Sequence, residues 1–391
     1  MEGLRDTPIV LRGTDTDVMS QVSLISGVSG GSILAAHYAI FGDGTFERFA
    51  EEYLDADLQG HLKGQLLNPA ALHRLSSPHF GRTHLLEARL EQLYGGATLG
   101  DVAKRTGAPE LLITATDLRN GMPFEFSPEQ LSLICTDWRT IPLSFAVASS
   151  AAVPLLLTPM RLANHAASCE AAMPRSGGNQ RGMDFRVRML AQQARQYRNP
   201  DRYPNLHLVD GGLSDNLGLR ALLDRMIATG ELSDSFAGAP EGSIDTLALI
   251  VVNAERDSEA GIEAKEDVPG IGDVLDTLVF GAGSRETNVT LGILADDVRR
   301  WRAELEAERG RPGSPFTADA ELHVVTLELR EIPDRRLRNK ALRMATSFTL
   351  PADDVALLRL AGRAVVESDT DFRRLRARLS GAVSLESGSA P

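Results

Sequence analysis

The chain has 391 residues, 43% of them hydrophobic and 24% charged, which is enough apolar material for a sizeable core. With 41 basic against 53 acidic side chains the formal charge is −12, which argues against a nucleic-acid binder, because such proteins carry a basic footprint. No apolar run approaches the roughly 18 residues of a transmembrane helix, and the opening MEGLRDTPIVLRGTD does not resemble a secretory leader, so a cytoplasmic or peripheral-membrane location is expected.

In chain order, Gln21 to Ser26 is a short β-rich run that passes through Gly27 to Gly31 into SILAAHYAIFG, a helical stretch ending at Gly42. Thr83 is placed to cap a helix whose Leu86, Leu90, Leu93 and Tyr94 share one face, with Gly95 and Gly96 at its end. Leu111 to Ala115 and Thr246 to Asn253 are continuous apolar runs. Both predict strands buried on two faces, as in a largely parallel sheet. Between Asn164 and Tyr203 the chain turns polar, Gly-rich and arginine-rich. From Pro174 to Arg202 it holds Arg175, Arg181, Arg186, Arg188, Arg195, Arg198 and Arg202 against Asp184 and Asp201. Val187, Leu190, Ala191, Ala194 and Tyr197 make an amphipathic helix of the second half of this segment, with basic flanks suited to an anionic lipid surface or to plain solvent.

Further on, Leu206 to Val209 is a short strand. Leu294, Val298, Trp301 and Leu305 mark a helix that stops near Gly310 and Pro312, Leu322 to Leu329 a strand, and Asp353 to Ser368 a late helix. Residues 381–391 are small and polar and are expected to be disordered. Cys135 and Cys169 are too few for a disulfide framework or a closed zinc cluster and are read as free thiols. No metal or organic cofactor is implied.

Two turns carry chemistry. Gly27-Val28-Ser29-Gly30-Gly31 is a G-x-S-x-G sequence at a strand-to-helix junction, where the serine sits on strained backbone and the flanking glycines keep side chains from colliding with neighbouring elements. The Gly30 N–H, at the start of the helix, would face a developing oxyanion. The second turn is Asp210-Gly211-Gly212, at the end of the 206–209 strand. In an open α/β sheet, Ser29 and Asp210 would converge on one strand edge.

Together, GVSGGS at 27–32 and DGGLSDN at 210–216 resemble the patatin-like phospholipase family. The blocks SFAVASSAAVPLLLTPM at 144–160, TDLRNGMPFEF at 116–126 and LIVVNA at 249–254 are similar to that family as well, so the likeness runs from about Ser20 to Asn253. The resemblance implies an α/β, three-layer fold with a largely parallel central sheet and helices on both faces. It implies a single domain over 1–380, with a basic insertion at 164–203 and C-terminal helices and a strand over 254–380. It also implies a Ser-Asp dyad, Ser29 as nucleophile and Asp210 as base, acting on a phospholipid or other acyl-ester lipid through an acyl-serine intermediate. Arg186, Arg188, Arg195 and Arg198 are candidates for lipid-surface contact.

The family places a Gly-rich oxyanion loop some thirty residues before the serine. Here Gly3, Gly13 and Gly27 stand apart, and EGLRDTPI is similar to the end of the helix that follows the loop, so Met1 is expected to be an internal or misassigned start. A chain without that loop reads alternatively as a weak or inert relative that binds lipid or a partner. Two further readings compete. A late-histidine triad would use His323, which sits in a strand-like run; His207 is three residues before Asp210 but is simplest as a strand position. A trypsin-like arrangement needs its histidine and aspartate well before the serine, where only 28 residues stand.

Overall fold

A computed structural model describes residues 1–11, 13–56, 60, 81–154, 156–170, 184–255, 271–344, 347 and 349–381, with the side chains of 271–282 excepted. The expected tail beyond 381 and the part of the basic segment holding Arg175 and Arg181 lie outside the described residues. Strands are β1 (Pro8–Leu11), β2 (Thr14–Asp17), β3 (Leu24–Val28), β4 (Glu110–Asp117), β5 (Met122–Glu125), β6 (Met160–Ala163), β7 (Asn205–Val209), β8 (Ile244–Asn253) and β9 (Phe316–Glu328). The longer helices are α1 (Gly30–Phe41), α2 (Arg82–Tyr94), α3 (Leu143–Ser150), α4 (Phe185–Tyr197), α5 (Arg220–Thr229), α6 (Ile271–Glu308), α7 (Ala352–Ser368) and α8 (Thr370–Leu379).

The chain divides into two compact units. One comprises Ser23–Thr229 and Ile262–Leu294 and carries both glycine motifs. Its sheet runs β3-β4-β7-β6, with β5 also paired to β4. Strand β4 is buried along all but its first residue, because Leu111, Leu112, Ile113 and Ala115 meet apolar partners on both faces. Helix α2 packs on α3, and its Leu86 and Leu90 are fully buried. Alanines and serines fill α3 (LSFAVASS), and these small side chains let it lie close against β4.

The α/β class with helices around a central sheet holds, but the sheet is mixed rather than largely parallel. Within this sheet β3–β4 is parallel, whereas β4–β5, β4–β7 and β6–β7 are antiparallel. Burial on two faces is what the apolar run of β4 encodes, and it does not set the direction of the neighbours. Direction comes from the connections. Residues 118–121 turn straight back, with Gly121 at φ +64, and make β4–β5 a hairpin.

Two smaller expectations are also corrected. Helix α2 begins at Arg82 with Gly81 as its N-cap, and the Gly81 N–H donates to His84 Nδ1 at 3.0 Å. Thr83 is buried instead, accepting the Thr158 N–H at 2.8 Å and donating to the Thr158 carbonyl. The cysteines are not free: Cys135 and Cys169 form a disulfide across 34 residues, their Cα atoms 5.8 Å apart. The His165 N–H bonds the Ile134 carbonyl and so brings the chain after β6 back beside Cys135, a proximity no spacing rule encodes. Such a bond persists in oxidising surroundings.

The other unit comprises Met1–Val22, Gly230–Gly261 and Ala295–Pro391. Residues 2–5 form one helical turn, and Glu2 is gripped by Arg359 and Arg363 of α7. The β1–β2 hairpin follows. The apolar run at 246–253 is a strand, β8, paired in parallel with β9. Unlike β4 it is not buried on both faces, since Val252 is 63% exposed and only Val251 and Asn253 are buried, this sheet having two strands among the described residues.

Candidate active site

Strand β3 ends at Val28, which pairs with Thr114 of β4, and β7 ends at Val209, which pairs with Thr116. Because β3 runs with β4 and β7 runs against it, continuing each register by one residue brings both Ser29 and Asp210 level with Ala115. The two residues therefore meet over β4 from opposite directions. This differs from the expected convergence at a common strand edge, and the antiparallel β7 is the reason.

Ser29 lies at φ +50, ψ −126, one of two non-glycine residues with positive φ among the described residues. That backbone turns sharply from β3 into α1, and it is sparsely populated for a residue with a Cβ. Its hydroxyl donates to Asp210 Oδ2 at 2.7 Å. The Ser29 carbonyl accepts from the Ser32 N–H at 3.0 Å and from Ser32 Oγ at 2.6 Å, closing the turn. The glycines around it do two different jobs. A Cβ on Gly27 would lie 2.7 Å from Ser32 Cα, so helix and strand could not approach, as the sequence suggested. At Gly30 and Gly31 a Cβ would meet open space, so these positions leave the approach to Ser29 uncovered rather than relieving a collision. Gly30 is the first residue of α1, whose leading N–H groups have no intrahelical acceptors and sit at the positive end of the helix dipole.

Asp210 is held at every polar atom. Its N–H donates to the Ala152 carbonyl at 3.0 Å, its carbonyl accepts from Thr116 Oγ1 at 2.8 Å, and Oδ1 accepts from the Gly212 N–H at 2.8 Å. Burial pushes the Asp210 carboxyl up to about 6, against the lowering effect of the Ser29 and Gly212 hydrogen bonds. Of the two following glycines, Gly211 is required by a backbone contact and Gly212 is crowded by side-chain oxygens. A Cβ on Gly211 would stand 2.2 Å from the Thr114 carbonyl oxygen, and one on Gly212 would stand 3.0 Å from Asp210 Oδ1.

Residues that the motif reading passed over complete the frame. Asp215 is fully buried and accepts from the Leu219 and Arg220 N–H groups, each at 2.9 Å, and from that of Ala221, anchoring the start of α5. Burial pushes it too up to about 6. Ser26 Oγ donates to the Gly218 carbonyl at 2.6 Å, and Asn216 Nδ2 to Thr287 Oγ1 at 2.8 Å. Asp215 and Asn216 stand inside DGGLSDN and Thr116 opens the TDLRNGMPFEF block, so the signal was present without a role attached to the residue.

The other candidates lie elsewhere. His207 is an exposed position of β7, and His323 lies on β9 in the other unit, where its Nε2 meets Glu321 Oε2 at 2.9 Å. Of the four arginines, Arg186 faces Asp184 and Asp224, and Arg198 donates to the Cys169 carbonyl at 2.8 Å. Arg188 lies over the Phe185 ring, and Arg195 is exposed. Among the described residues no group of three His, Cys, Asp or Glu side chains is placed to hold a metal ion.

Comparison with curated proteins gives no match. A family model described as patatin-like phospholipase matches residues 7–223, more than half of the 391, and takes in Ser29, Asp210 and the strands that carry them. The chain belongs to the patatin-like phospholipase family.

Proposed function

We propose that this protein hydrolyses acyl esters of lipids, with Ser29 as nucleophile and Asp210 as its base. Family membership supports acyl-lipid hydrolysis in general. The observation that carries the finer reading is the 2.7 Å hydrogen bond from a serine on a strained strand-to-helix turn to a buried carboxylate of raised basicity.

Ser29 Oγ attacks the ester carbonyl carbon while its proton passes to Asp210 Oδ2. The carbonyl oxygen becomes an oxyanion facing the Gly30 N–H and the start of α1. Collapse breaks the bond to the alcohol oxygen, which leaves with the proton held on Asp210, and the acyl group stays on Ser29. Water then attacks the acyl-serine, gives its proton to Asp210 and releases the fatty acid, the proton returning to Ser29 Oγ. To test it, purified protein is incubated with phosphatidylcholine vesicles and with a short-chain p-nitrophenyl ester, and with a fluorophosphonate probe in parallel. Fatty acid release, ester turnover and stoichiometric labelling support the reading. Lipid binding without turnover or labelling would support the inert alternative.

Helix α4 is the element proposed to meet lipid. Phe185 at its start is 60% exposed and Arg195 lies exposed near its end, whereas Arg186 and Arg198 are engaged within the protein. No helix among the described residues is long and apolar enough to cross a membrane. Each basic residue near an anionic surface contributes ~1 kcal/mol, or about fivefold in partitioning. The double variant Phe185→Ala, Arg195→Gln should therefore co-sediment with phosphatidylserine vesicles at least about fivefold less, with p-nitrophenyl ester turnover unchanged. Undiminished sedimentation would return α4 to an ordinary surface role.

A further inference from the structure

We propose that Ser150 is a positioning residue for the nucleophile, its hydroxyl holding the Ser29 turn in the geometry for attack. Ser150 closes α3, a helix in which no side chain touches substrate in the mechanism above, and it is completely buried. Its Oγ accepts the Ser29 N–H at 2.9 Å and donates to the Thr114 carbonyl at 2.7 Å. A hydroxyl has one proton. With that proton committed to Thr114, a lone pair of Oγ must face Ser29, so the polarity of the bridge is fixed.

The bridge answers a problem that the turn creates. At φ +50 the Ser29 backbone has left the β3 ladder, and its N–H needs another acceptor. Ser150 supplies it and ties the turn to the carbonyl of Thr114. That same carbonyl is the atom against which Gly211, the residue after Asp210, is packed. One carbonyl of β4 is thus the common reference for both turns, reached through a hydroxyl on the serine side and by direct contact on the aspartate side. The arrangement also commits the Ser29 N–H to the protein, leaving the Gly30 N–H to face the oxyanion.

Without the Ser150 hydroxyl the Ser29 N–H loses its acceptor and the strained turn loses its tether. A misplacement of about 1 Å in a reacting group costs on the order of 10²-fold in rate. Ser150→Ala should therefore lower kcat for a soluble p-nitrophenyl ester by roughly 10- to 100-fold. KM should stay within about twofold, since Ser150 touches no substrate, and the fluorophosphonate labelling rate should fall in step with kcat. Ser149→Ala is the matched control. Ser149 is equally buried and adjacent, but its Oγ bonds the Phe145 carbonyl of its own helix, and its replacement should leave both rates within about twofold.

If Ser150→Ala does not fold, Ser150→Cys keeps the volume with a much weaker hydrogen-bonding atom and should show a smaller loss of the same kind. A folded Ser150→Ala protein with the wild-type kcat overturns the proposal, as does an equal loss in Ser149→Ala or a loss that appears in KM alone. The proposal rests on Ser29 being the nucleophile, so Ser29→Ala is run alongside. Labelling that survives Ser29→Ala defeats that reading, whereas Ser29-dependent labelling unaffected by Ser150→Ala defeats the role of Ser150 alone.

Discussion

Ser29→Ala should reduce ester turnover by roughly 10⁵-fold or more, to the background left by binding and oxyanion contacts, and should abolish fluorophosphonate labelling. The size of the effect follows from what is removed. The hydroxyl is the atom that becomes covalently acylated, and among the described residues no other hydroxyl is bonded to the Asp210 carboxylate, the Thr116 hydroxyl meeting the Asp210 backbone carbonyl instead. Structure should be conserved, because Ser29 is only part-buried and its side chain makes one hydrogen bond, to a carboxylate. Alanine also keeps the Cβ, so the positive φ is no more strained than before. The variant should give the wild-type circular dichroism and bind vesicles normally. Residual labelling at another residue would move the active site.

How much of this was legible depends on what kind of signal each feature leaves. Helix α2 could be read because Leu86, Leu90, Leu93 and Tyr94 repeat at the helical period, and all four are buried. The cap was misplaced because Thr83 has the capping residue type, while the N–H that needed a partner belongs to Gly81 and is met by a histidine ring. Strand β4 was legible as a buried strand, yet the directions of its neighbours were not, since they are set by the 118–121 turn and by the long return that brings β7 back.

Both glycine turns announced themselves because a backbone that must pass within van der Waals contact of a carbonyl or a helix tolerates no Cβ, as at Gly27 and Gly211. Thr116 and Ser150 stand inside the family-like blocks at 116–126 and 144–160 but leave no such steric trace. A small hydroxyl residue in a run such as SFAVASSAAVP has no periodicity, and its importance appears only when the partner strands are placed. The Cys135–Cys169 pairing was invisible for a related reason, since 34 residues of separation become 5.8 Å only after the chain has formed β6 and turned back.

Asp210→Asn should separate activity from stability. The amide has the shape of the carboxylate but cannot accept the Ser29 proton, so kcat/KM should fall by ~10²–10⁴-fold, the usual contribution of a positioned base. In the wild type the base must be ionised. With burial pushing Asp210 up to about 6, kcat/KM should rise with pH through that value and level off above it. The unfolded chain ionises this group near 3.8. Between those values the folded protein retains a proton that the unfolded chain has released, so the contribution of Asp210 to stability falls as pH rises through the window. Above about 6 the whole cost of a buried carboxylate stands, on the order of 3 kcal/mol. Asparagine carries no such cost, and its two side-chain atoms suit the same neighbours, the oxygen accepting the Gly212 N–H and the amide N–H donating to Ser29 Oγ. The variant should therefore melt higher than the wild type at pH 8, with the advantage gone below about pH 4. Asp215, also pushed up to about 6, titrates in both proteins and cancels from the difference. A variant that melts lower at pH 8 would mean that the Ser29–Asp210 contact outweighs the cost of burying the charge, and a variant that keeps its turnover would remove Asp210 as the base.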